Sequence, residues 1–78
     1  MKIRPKLLQE YLQSRNLSAE QFAEDTGINL TDVELLLGGH AVDVRPATLF
    51  VFYFGSDKAQ VLIDWLGMGI KNPLAKEV

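Results

Sequence analysis

Apolar positions recur at helical spacing through most of the chain. Leu7 with Tyr11 and Leu8 with Leu12 lie four apart between Lys6 and Arg15, which gives one buried stripe on a first helix. A second helix over Ala19 to Thr26 has a full set of boundary signals. Ser18 can cap it, Gln21 can reach back to the cap's backbone, and Leu17 can pack on Phe22 across the first turn. Gly27 suits the left-handed residue that closes such a helix. The pattern repeats at once: Asn29 can cap a third helix, with Asp32 three residues on and Ile28 set to pack on Val33. Thr31 with Glu34 offers a competing start, and Gly38-Gly39 ends the segment. Only Gly27 and Ile28 precede the Asn29 cap, so the second and third helices must meet at a sharp angle, as in a helix-turn-helix.

Beyond the glycine pair the pattern is less regular. Pro46 and Thr48 can open a fourth helix, although the run LFVFYF, residues 49–54, is β-branched and aromatic enough for a buried strand. A short helix is favoured, because a lone strand in a helical chain has no partner. Tyr53 among Phe50, Phe52 and Phe54 reads as core. From Lys58 to Leu66, Ala59, Leu62, Ile63 and Leu66 form a stripe opposite Lys58, Gln60 and Asp64, which predicts a fifth helix. Residues 67–78 carry two glycines and a proline and read as a tail that frays or lies along a surface. The expected organisation is an all-α domain of five helices over residues 1–66, followed by this short tail.

Seventy-eight residues limit what else the chain can hold. A domain this small buries only about 60 % of the surface its unfolded form exposes, which leaves little room for an enzyme's pocket. With 47 % hydrophobic and 23 % charged residues, the composition is that of a folded globule. The chain has no cysteine, so a disulfide framework and a thiolate zinc site are excluded. Pro5 and the polar residues around it break any signal-peptide pattern, and the apolar run from Leu49 to Phe54 is too short to span a bilayer. The expected setting is cytoplasmic.

The segment LSAEQFAEDTGINLTDVELLLGG, residues 17–39, resembles the lambda-repressor and Cro-like helix-turn-helix family. Leu17, Ser18, Phe22, Ala23, Gly27, Ile28, Asn29, Val33, Leu36 and Gly39 occupy the places of that pattern. With its flanking helices the resemblance extends over about residues 6–66; the match at residues 46–55 is poor. The resemblance implies a five-helix domain in a transcriptional regulator of phage, plasmid or bacterial origin, usually a dimer, whose third helix reads the major groove.

The residues on that helix carry different chemistry. A helical wheel turns Val33 and Leu36 inward and leaves Leu30, Thr31, Glu34 and Leu35 outward. Only Thr31 among these is an ordinary groove contact. Ala19 stands where the family often has a DNA-contacting glutamine. Between Asn16 and Val44 there are six acids, Glu20, Glu24, Asp25, Asp32, Glu34 and Asp43, and no lysine or arginine. Affinity for DNA rests largely on cations that neutralise phosphates, so this stretch should be repelled by a duplex.

Two functional readings follow. In the favoured one the chain is an antirepressor or modulator that docks on another regulator through Leu30, Asp32, Glu34 and Leu35, its acids pairing with arginines of a genuine DNA-binding helix. In the other it binds operator DNA as a dimer through Asn29, Thr31, Arg15 and Arg45. Leu30 and Leu35 have a plainer reading as well, as packing against the fourth helix or a dimer mate. Val61 and Trp65, four apart, offer a homodimer surface, or are covered by the domain's own core or the tail. Neither catalytic residues nor a cofactor or metal site is expected. His40 reads as a helix-ending or solvated residue, the serines lack a nucleophile motif, and Glu20 with Glu24 reads as a polar helix face.

Overall fold

The computed structural model describes residues 1–68, and the expected tail lies almost wholly outside them. Five helices follow in order: α1 (Pro5–Ser14), α2 (Ala19–Thr26), α3 (Leu30–Leu37), α4 (Val44–Phe54) and α5 (Ser56–Leu62), with a 3-10 turn at Leu66–Met68. The domain is all-α, as expected. α3 packs on α1 and α2, and α4 packs on α2 and α5.

Local chemistry accounts for most of the boundaries. Pro5 opens α1 at a position where its missing N–H costs nothing. Ser18 Oγ accepts the Gln21 N–H at 3.1 Å and starts α2 where expected. The Gln21 side chain points along the helix, where its Nε2 donates to Asp25 Oδ1 one turn on at 2.9 Å. Gly27, at φ +80°, ends the helix, and its N–H donates to the Ala23 carbonyl. Thr26 Oγ1 accepts the Ile28 N–H and so steadies the turn into α3. Asn29 is the α3 cap by backbone conformation alone, without a side-chain cap bond, and the helix starts at Leu30.

The end of α3 is a Schellman motif. Gly39 has φ +78°, its N–H donates to the Leu36 carbonyl, and the His40 N–H donates to the Leu35 carbonyl at 2.9 Å. The His40 ring folds back so closely that a Cβ on Gly38 would lie 2.9 Å from His40 Cδ2. Only Gly39 of the pair has a backbone conformation that requires glycine; at Gly38 the exposed His40 ring can swing aside.

Three expectations are corrected past this point. α4 begins at Val44 rather than Pro46, which falls in the first turn and is buried. Its LFVFYF run is helical, but Phe52 is 81 % exposed and so is no part of the core. α5 starts two residues early and stops at Leu62 instead of Leu66. Ile63 turns extended and forms an antiparallel bridge with Ile3, while Leu66 is 79 % exposed.

That bridge belongs to an N-terminal tie with no counterpart in the helical pattern. The Arg4 N–H donates to the Leu62 carbonyl at 2.7 Å, and the Asp64 N–H donates to the Lys2 carbonyl at 2.9 Å. The Met1 amino group donates to the Val42 carbonyl at 2.7 Å, and the Val42 N–H donates to the Met1 carbonyl at 2.8 Å. Ile3 is fully buried between these attachments, alongside Leu8, Phe22, Val33, Leu36 and Phe50. No polar or charged side chain is buried among the described residues.

Replacing Ile3 with Ala should cost about 2–4 kcal/mol in urea unfolding, because it opens a cavity where the tie meets the core. Leu66→Ala should cost less than about 0.5 kcal/mol, as expected for an exposed side chain. Equal losses would mean that the N-terminal tie contributes little.

Candidate functional site: the exposed face of α3

The short turn Gly27–Asn29 leads into α3 with Val33 and Leu36 facing the core, both fully buried. Opposite them Thr31 and Glu34 are exposed, and Leu30 keeps 37 % of its surface open. Leu35 does not share that face fully. It is half-buried and packs against the core. Of the four residues expected to bind a partner, Leu30 and Glu34 are outward, while Leu35 is divided between core and surface.

Asp32 occupies a different place. It is half-buried in a recess of about 250 Å³ between the α2–α3 turn and the start of α4, shared with Asn29, Arg45 and Pro46. The structure thus brings together two of the four DNA-contact candidates, Asn29 and Arg45, at the beginning of α3. It also sets an acid beside them. Thr31 lies in the same first turn but is on the exposed face and does not line the recess.

Arg15 belongs to another cluster. Its guanidinium carbon lies 5.0 Å from the Tyr11 ring centroid, and Lys58 Nζ is equally close to the same ring. Tyr11 contacts Phe54 edge-on and shares a 3.0 Å hydroxyl bond with Tyr53. Tyr53 in turn packs edge-on against Phe22. Arg15 therefore braces the α1–α4 aromatic cluster and does not line the recess at the start of α3.

The negative stretch is a surface property. Glu20, Glu24, Asp25, Glu34 and Asp43 are all exposed, with Asp32 half-exposed. No base from residues 16–44 offsets them. The arrangement can seat an apolar side chain against Leu30 and pair a cation with Glu34; its own charge opposes a phosphate backbone. Among the described residues there is no group of three or more potential metal ligands, and no helix is long and apolar enough to cross a membrane. His40 is exposed at the end of α3.

Two surface features escaped the sequence reading. The N-terminal tie was missed because a four-residue segment carries no periodic signal. The outer face of α4, with Val44 and Phe52 each 81 % exposed, had a legible signal in the uncharged run from Pro46 to Ser56. Val61 and Trp65 do not share a helix: α5 ends at Leu62, and the half-buried Trp65 indole donates to the Gln60 carbonyl at 3.2 Å. Compared with known proteins, the chain matches no family model, no curated protein and no solved structure.

The Tyr11 bond holds the Tyr53 hydroxyl in its protonated form and raises its pKa from 10.0 to about 12. Desolvation and the negative charge of Asp25 act in the same direction, and Arg15 opposes them. Below the ordinary tyrosine value both folded and unfolded chains keep this proton, so the bond contributes fully. As pH rises from about 10 to about 12 the unfolded chain loses the proton first, and that stability is lost. The stability gap between wild type and Tyr53→Phe should therefore shrink over this window in urea unfolding. A gap independent of pH would contradict the assignment.

Proposed function

We propose that this chain is a small helix-turn-helix regulator of transcription that works in the cytoplasm by binding another protein. Its partner is a DNA-binding repressor whose groove-reading, arginine-bearing surface it covers, and it acts as a modulator or antirepressor, not as a catalyst. The observation that carries this reading is the composition of the α3 surface. Leu30, Thr31 and Glu34 are its open residues, inside a 29-residue stretch, 16–44, with six acids and no base. Leu30 supplies an apolar contact, Glu34 and Asp32 supply carboxylates for arginine, and the exposed part of Leu35 completes the patch.

Operator binding as a dimer is the second reading, and it draws support from the recess that Asn29 shares with Arg45. The position of Asp32 in that recess and the stacking of Arg15 on Tyr11 count against it. The resemblance in residues 17–39 is common to both readings and does not choose between them.

Immobilised wild-type protein and the Glu34→Arg variant should be challenged with purified helix-turn-helix repressors from the same genome. Wild type should retain one of them, and reversal of the charge should weaken that binding by at least about tenfold. Glu34 is exposed, so the melting temperature should not move. Equal retention by both proteins would place the interface elsewhere.

A further inference from the structure

α4 is apolar on both sides. Its inner arc buries Pro46 and Phe50 and half-buries Tyr53 and Phe54 against the core. At 100° per residue the outer arc holds Val44, Thr48, Val51, Phe52 and Gly55. Val44 and Phe52 are 81 % exposed there, beside a groove of about 450 Å³ lined by Thr48, Val51, Phe52, Gly55 and Ser56. A helix apolar all round is ordinarily covered all round. A chain this short has few large apolar side chains to leave in water.

The face is complementary to itself once reversed. No charged side chain occurs from Pro46 to Ser56, so nothing in that run repels a second copy. Arg45 stands at its N-terminal edge, and Asp57 follows its C-terminal end. The small residues Val44 and Thr48 occupy one half of the stripe, and the large Phe52 the other.

We propose that two copies of this chain pair through this face, α4 against α4, antiparallel about a two-fold axis that crosses the outer face between Thr48 and Phe52. Each Phe52 then lies beside Thr48 of the second copy, at the mouth of the groove. Arg45 at one end approaches Asp57 of that copy at the other. A parallel pairing would instead set Phe52 on Phe52 and Arg45 beside Arg45. The contact is isologous, so it closes at two copies. α4 has eleven residues and is about 16 Å long, which supplies less than the ~800 Å² per partner of a standard interface. Dissociation is therefore expected in the micromolar range. This face is separate from Val61 and Trp65, whose indole donates to the Gln60 carbonyl of its own chain. The inference uses no α3 residue and is independent of the proposed repressor partner.

Sedimentation equilibrium of the full chain from about 5 to about 500 μM tests it, a range that brackets micromolar dissociation. The wild-type mass should rise from that of one chain toward twice that value. Phe52→Glu should stay single throughout, with the melting temperature of dilute protein unchanged. Asp57→Arg should weaken pairing by at least about tenfold, and adding Arg45→Asp should restore it. A single-chain mass for wild type at every concentration would overturn the proposal, as would a Phe52→Glu variant that still pairs. A Phe52→Glu variant that melts lower when dilute would overturn it too, because Phe52 would then be covered within its own chain. Loss of pairing in Asp57→Arg without rescue by Arg45→Asp would overturn the antiparallel arrangement.

Discussion

Burial of Ile3 is the contact on which the rest of the arrangement depends. Four residues at the N-terminus attach to Val42, just before α4, and to Leu62–Asp64, just after α5. Their side-chain anchor has no exposed surface. This closes long-range contacts in a chain whose helices are all eleven residues or fewer, too short to be stable alone. It also cuts α5 short. Backbone groups at Leu62 and Asp64 that could have extended the helix bond instead to Arg4 and Lys2.

With the N-terminal segment bound in this way, the surface divides into parts of different character. The α2–α3 unit presents acids around a small apolar patch at Leu30. Two of the bases outside that unit, Arg15 and Lys58, gather on the Tyr11 ring. The outer face of α4 carries no charge at all between Arg45 and Asp57. With no charged side chain buried among the described residues, the segregation is a property of sequence order carried directly onto the surface. The acids around α3 attract cations and repel phosphate.

The sequence was most legible where structure follows from neighbouring residues. Ser18 and Gly27 delimit α2 correctly because a cap and a left-handed stop act within one turn. Val33 and Leu36 were assigned to the core by spacing alone, and they are there. The errors arise where a distant segment decides. Ile63 has the right spacing for a helix, but Ile3 draws it into a bridge. Leu35 falls on the outward arc of the wheel, yet it is half-buried and packs against the core. Phe52 was counted as core on its type, whereas the α4 wheel turns it opposite Phe50. Of the candidate site, Leu30, Thr31 and Glu34 were legible as exposed residues. The grouping of Asp32 with Arg45 was not, since it depends on how α4 meets the α2–α3 turn.

The central claim is that the α3 surface suits a protein and not a duplex. Fluorescence anisotropy of a labelled random duplex, titrated with this protein at about 50 mM and about 200 mM salt, tests it most directly, since phosphate binding weakens steeply with salt. The account predicts no binding at micromolar protein even at the lower salt. Salt-sensitive binding in that range would contradict it and would make this chain a DNA-binding regulator.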